Sequence, residues 1–484
     1  MLRTPTIAPD SLLDVMRMRA DPLADHTMAA VLGPWPVGVV PDPESPQWRR
    51  IADVNRAFAQ WSDNAALTGW HASGPIDPAV APPLQAFVQA AQALPHWADA
   101  ALLERAEVLF MEHGALSCVL LFCASLPECY VIPDLSQVLH TAGQLEEHTE
   151  HRIRSTAAMI FPVMMHGGLT RPEGAGVAQV LKVRLIHATI RNLILRGEPG
   201  LGSVQRAKAQ VPPLPVPEGA GLHATLLAHG WDLRQDGLPC NQEELAYTLL
   251  TFGYVFLRSL RRLGIGLTGS DEVAYLHAWN VVGALLGIDR ALMVHTMHEG
   301  EELLSRMQSR GRAHVQPPDA RPALAAALLQ AMERAIPWPI VRPFPRLMTR
   351  HLCGRQTARD LGLQQRRVPA LSWALFWLLL GLARLVDTCI RLVWPQFSIA
   401  RSLTRVLGYH FLTKILMDET RPLQLPERLL NQMDEIVGRW SDDPHAPRWL
   451  NRLEDRLTTA GRWNADRSSA QGAAASAPPG APAP

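Results

Sequence analysis

The sequence has almost no net charge: across 484 residues, 46 lysines and arginines stand against 45 acidic residues, a formal +1. That balance removes any global electrostatic case for nucleic acid or an anionic surface, so partners have to be argued locally and no nucleic acid is expected. Paired Cys-x-x-Cys spacing is missing as well. The six cysteines, Cys118, Cys123, Cys129, Cys240, Cys353 and Cys389, are scattered. Three lie in a Leu- and Ala-rich stretch where Cys behaves as a small hydrophobe, which points to a reducing compartment. The opening Met-Leu-Arg-Thr-Pro-Thr-Ile-Ala-Pro-Asp lacks the apolar run of a secretory signal, so a cytoplasmic location is expected. No Gly-x-Ser-x-Gly elbow or phosphate loop supports hydrolase or nucleotide chemistry. Gly264-Ile-Gly-Leu-Thr-Gly269 matches the dinucleotide fingerprint by letter, but it follows a helical pattern rather than a strand and reads as an interhelical turn. Zinc-hydrolase and di-iron spacings are absent around His148 and His151, and His295, His298 and Glu299 have no second matching pair; both groups read as solvated helix faces. No internal repeat of fixed period occurs.

What the chain does have is 3.6-residue periodicity, without recurrent period-two alternation, so the expected fold class is all-α. After a Pro-rich opening through Pro46, helical patterns run from Gln47 to Thr68, Asp99 to Ala124, Leu135 to Leu145, Glu146 to Met165 and Gly176 to Leu195. Gly197 to Gly221 reads as a connector, and helices resume over Gln242 to Leu263 and Ser270 to Leu286. Val368 to Ala383 carries no charge but falls short of the roughly 18 apolar residues of a confident span, so it is expected to be buried or to lie at a membrane surface. The organisation that follows is an extension over 1–46, a helical core over 47–345, a C-terminal helical region over 346–463 containing the apolar helix 368–383, and a disordered tail over 464–484.

Two trios stand out. Arg152, Ser155 and Thr156 share one helix face, as do Arg184, His187 and Arg191 on a later helix, because three- and four-residue steps gather side chains on one side. A neutral imidazole at His187 with a cation one turn before and one turn after can ligate a haem iron while the guanidiniums meet its propionates. The competing reading is a core histidine beside two solvated arginines.

Several separated blocks resemble the oxygenase family that contains the latex-clearing rubber oxygenases and the fungal MpaB enzymes. These blocks are His113-Gly114 through Pro127, Thr141-Ala-Gly-Gln-Leu145, Arg152-Ile-Arg-Ser-Thr156, Val183 to Arg191, Asn241 to Leu245, and Tyr275 to Trp279 with Gly283 to Gly287, in consistent order over roughly 95 to 290. The resemblance implies a globin-like helical core holding haem b, with additional peripheral helices. It implies His187 as the proximal iron ligand, Arg184 and Arg191 as cofactor-binding neighbours, and Arg152 and Thr156 on the distal side, orienting dioxygen. Ser155 departs from the pattern, since some latex-clearing proteins place there a lysine that serves as sixth ligand, and their distal glutamate base has no counterpart by spacing. The activity implied is a haem-dependent oxygenase using dioxygen to oxidise or cleave a C=C bond in an apolar or isoprenoid substrate. Met159, Phe161, Met164 and Met165 are candidate cleft residues or ordinary core. His166 is a distal or helix-end residue, and His277 a satisfied core residue. A non-enzymatic haem sensor or carrier and a cofactor-free lipid-binding helical protein are the alternatives.

Overall fold

The computed structural model describes residues 8–133, 149–199, 210–216, 221–315, 317–334 and 336–393. The pattern over 135–145, His148 and the tail 464–484 lie outside them. Two compact units divide the chain, Met1–Met111 with Val119–Phe376, and Glu112–Cys118 with Trp377–Pro484. Among the described residues the structure is helical, and the one β pairing is a two-residue antiparallel ribbon, β1 (Gln210–Val211) against β2 (Trp231–Asp232).

The Pro-rich opening holds two helices, α1 (Asp10–Arg17) and α2 (Pro22–Leu32), and α3 (Pro46–Gln60) follows where the pattern from Gln47 predicts it, ending short of Thr68. Pro9 sits at the N-cap of α1, while Pro22 and Pro46 open α2 and α3, positions where a missing N–H costs nothing. The prolines therefore start helices instead of excluding them. The chain continues through α4 (Ala81–Ala91) and α5 (Ala100–Leu120), a π turn over Leu121–Ser125, and α6 (Leu126–Cys129). Then come α7 (Thr149–Met164) and α8 (Gly176–Leu195), whose limits match the sequence pattern closely.

Beyond α8 lie the short α9 (Leu222–Ala228) and α10 (Leu233–Asp236). The single helix expected over 242–263 is two, α11 (Gln242–Phe252) and α12 (Tyr254–Leu263), broken at Gly253 while the apolar pattern runs on. Next are α13 (Gly269–Leu285), opened by a reciprocal Thr268–Asp271 capping box, α14 (Met297–Ala313), α15 (Arg321–Arg334), α16 (Phe344–Cys353), α17 (Arg355–Asp360) and α18 (Ala370–Val393). Among the described residues no single helix is long and apolar enough to cross a membrane.

One buried carboxylate joins several of these helices. Glu128 of α6 is fully buried and accepts from Arg258 (2.5 Å), Gln308 (2.7 Å) and Thr357 (3.2 Å), while its backbone oxygen accepts from Tyr247 Oη (2.7 Å). A charge in that position is tolerable because a cation and further donors surround it.

The helix that carries the candidate site is α8. It is apolar on most faces and packs on α7, α2 and α9. Its N-cap residue, Ala175, offers no side-chain cap. Asn64 substitutes: its Oδ1 accepts from Val177 N (3.0 Å) and Ala178 N (3.4 Å), while its Nδ2 donates to the carbonyls of Gly168 (2.9 Å) and Arg171 (2.8 Å). One amide thus fixes both the α7–α8 turn and the start of α8. The turn is tight enough that a Cβ at Gly168 would overlap the Pro162 carbonyl oxygen, and Gly167 adopts φ +71°.

Candidate functional site

Helices α7 and α8 bring the two sequence trios onto adjacent elements. Arg152 and Ser155 fall on α7, with side chains outside the described residues; Thr156, one step further, is half-buried. On α8, Arg184, His187 and Arg191 share a side, as their spacing requires.

His187 has the least satisfied environment of the three. Its Nδ1 is sealed from solvent with no hydrogen-bond partner, although the residue as a whole keeps some surface. Burial drives the imidazole down to about 4, the Arg191 cation adding to the effect and Asp21 opposing it. The ring is therefore neutral at physiological pH, the state in which a histidine nitrogen can donate a lone pair to a metal.

Both neighbouring guanidiniums meet carboxylates of the chain itself. Arg184 makes a two-pronged pair with Asp21 (Nε to Oδ2 2.5 Å, Nη2 to Oδ1 2.8 Å) and donates to the Leu285 carbonyl (3.1 Å). Arg191, wholly buried, donates through Nε to Asp25 (2.7 Å) and through Nη1 to the carbonyls of Pro239 (3.2 Å) and Cys240 (2.6 Å), leaving Nη2 without a partner. Neither arginine is solvated, and each is held by a carboxylate of the chain rather than left open for a cofactor's propionate, as the spacing suggests for Arg184 and Arg191. Burial pushes the Asp25 carboxyl up to about 6, with the Arg191 guanidinium pulling the other way. Asp21, the N-cap of α2, and Asp25 in its first turn hold the arginines of α8 on either side of His187. Sequence reasoning missed them because their partners lie 163 and 166 residues away.

Around the rest of α8 runs an apolar strip that retains surface: Val183, Ile186 and Ile190, with Ile186 44% exposed. Lys182 borders it, and burial lowers its ammonium to about 8. Of the candidate cleft residues only Met159 keeps surface, whereas Phe161, Met164 and Met165 are core, Phe161 standing edge-on to Phe110 at 5.9 Å. The site thus sets a neutral imidazole with one sealed, unpartnered nitrogen beside an apolar strip.

The other histidines divide as follows. His277 Nε2 accepts from Asp99 N (2.9 Å) near the start of α5, so it is satisfied. His298 is exposed and lies 3.8 Å from Glu302; Glu299 is used at the start of α14, accepting from His295 N (2.7 Å). Among the described residues no group of three or more His, Cys, Asp or Glu side chains forms a metal cluster. His166 is exposed, with Nδ1 3.7 Å from Glu107. Glu107 went unnoticed in the sequence: buried on α5, it accepts from Gly167 N (2.8 Å) through Oε2 while Oε1 has no partner. Burial raises its carboxyl to about 7.

Among the described residues the fold is helical, with a neutral, partly buried histidine on α8. Residues 113–385, more than half the chain, match the family described as "ER-bound oxygenase mpaB/B'/Rubber oxygenase, catalytic domain", and the chain belongs to that family. The matched stretch starts where the first quoted block does, at His113, and reaches past the last one, which ends at Gly287. The chain is similar to a rubber oxygenase of Streptomyces sp. (strain K30), with 22% identity over 335 residues covering 67% of this chain and 70% of that protein. Its fold is similar to that of the latex clearing protein LCP solved in the closed state, with a TM-score of 0.54 and 17% identity over 88% of this chain and 90% of that one.

Proposed function

We propose that this chain is a haem b-dependent oxygenase that uses dioxygen to oxidise or cleave a C=C bond in an apolar, isoprenoid-type substrate. Membership in an oxygenase family supports the class, and the relative named a rubber oxygenase supports the substrate type. The observation that carries the cofactor assignment is His187, neutral and with one ring nitrogen sealed and unpartnered.

Haem b, when bound, supplies the redox chemistry of dioxygen. The chain does the rest. His187 would hold the iron, and the Asp21–Arg184 and Asp25–Arg191 pairs fix the helix that presents it. Val183, Ile186, Ile190 and Met159 offer apolar surface that excludes water and receives a hydrocarbon chain. Arg152 and Thr156 of α7 are assigned to orient dioxygen by hydrogen bonding. The five described cysteines are free and buried, which supports action in a reducing compartment.

The test is a pyridine haemochrome assay and an absorption spectrum of the purified chain, followed by dioxygen consumption with polyisoprene and short isoprenoids. Haem together with substrate-dependent uptake is expected. Haem without uptake assigns a carrier or sensor instead, and no haem after expression with adequate supply overturns the cofactor assignment.

A further inference from the structure

Between residues 334 and 376 the chain carries eight arginines against a single acidic residue, Asp360, in a protein whose overall charge is near zero. Asp360 is already taken by Arg312 at 2.7 Å. The same stretch shows large apolar side chains to solvent on two elements. The turn between α15 and α16, Ile336-Pro-Trp-Pro-Ile-Val341, exposes Trp338 at 65% and Ile340 at 46%; the first turns of α18 expose Leu371 at 65% and Trp373 at 54%.

The two elements are neighbours. Phe344 at the start of α16 meets Phe376 of α18 edge-on at 5.4 Å, and Arg350 of α16 donates to the Arg366 carbonyl (2.7 Å) just before α18. Arg346 satisfies Glu333 (2.7 Å), leaving Arg334, Arg342 and Arg367 exposed around the apolar tips. The turn is held rather than loose: Val341 N and Arg342 N both bond the Trp338 carbonyl, and two prolines flank the indole.

We propose that this face docks on the surface of an anionic lipid bilayer, with Trp338, Ile340 and Leu371 entering the headgroup boundary and the arginines meeting lipid phosphates. Indoles favour that boundary, aliphatic tips gain by leaving water, and each arginine near an anionic surface adds attraction. Charge of one sign around an apolar centre matches a lipid surface. A second copy of the same face would set arginine against arginine.

The experiment is flotation of the full chain with vesicles of phosphatidylcholine alone and of phosphatidylcholine mixed with phosphatidylglycerol, alongside sedimentation without lipid. Flotation with the anionic vesicles, weakened by salt, is expected. The double variant Trp338→Glu/Leu371→Glu, with unchanged circular dichroism, should lower the partition by at least about tenfold, the scale of losing one buried large side chain. Arg366→Glu/Arg367→Glu should weaken binding to anionic vesicles and leave any binding to neutral ones as it was. Absence of wild-type flotation, or equal flotation of the double variant, overturns the proposal. A dimer in solution that Trp338→Glu dissolves, with no flotation, assigns the face to a second copy instead. None of these readouts depends on cofactor content, so they stand or fall apart from the oxygenase reading.

Discussion

The grip of α2 on α8 makes a quantitative prediction. Arg191 is wholly buried and Asp25 nearly so, with 2.7 Å between Nε and the carboxylate. Replacing Asp25 with Ala strands a guanidinium away from water; breaking one side of such a pair costs about 3–5 kcal/mol. Arg191 keeps its bonds to the Pro239 and Cys240 carbonyls, which places the expected loss near the lower end, about 3 kcal/mol. Asp21→Ala should cost less, about 1.5–3 kcal/mol, because Arg184 keeps 10% exposure and the Leu285 carbonyl. Urea denaturation followed by tryptophan fluorescence measures both; Trp35, bonded to Asn192 of α8 at 2.8 Å, lies close to the perturbation. The double variant Asp25→Ala/Arg191→Leu removes the stranded charge and should recover much of the loss. A single-variant cost below about 1 kcal/mol, or a double variant no better than the single, would refute the account of α2 as an electrostatic anchor for the His187 helix.

His187→Ala should abolish haem retention while circular dichroism still reports a helical fold; normal haem occupancy in that variant contradicts the ligand assignment. Thr156→Ala should lower turnover more than haem content, since it is assigned to the dioxygen side, and equal loss of both would mark the residue as structural. Glu107 titrates near 7 when folded and near 4.5 as an ordinary glutamate, so the native state binds its proton more tightly. Between those values its contribution to stability falls as pH rises, and above them the buried carboxylate is a standing cost. Glu107→Gln, which keeps the shape without the charge, should flatten that part of the pH profile and raise stability at about pH 8, read from denaturation midpoints across the range.

Much of the architecture could be read from residue patterns, and the exceptions have physical causes. The limits of α8 were legible because its apolar residues recur at three- and four-residue spacing from Gly176 to Leu195 with no proline or internal glycine. The first two helices, α1 and α2, were not, since proline density alone does not distinguish an irregular segment from a series of helix starts. The break at Gly253 was hidden because burial continues across it: Phe252, Gly253 and Tyr254 are all inside. At the site, the common face of Arg184, His187 and Arg191 followed from spacing, whereas what their guanidiniums touch did not. Asp21 and Asp25 look in the sequence like an ordinary helix start, and only the tertiary fold turns them into partners.

Asn64 carries a consequence for where this molecule can be cut. The stretch that identifies the family begins at 113, yet the amide that caps α8 and the two acids that hold its arginines are all encoded before that point. A fragment trimmed to the recognisable region would leave the leading N–H groups of α8 bare and two cations inside it uncompensated. The smallest self-sufficient piece is set by these three polar anchors, and it is larger than the portion that sequence likeness outlines.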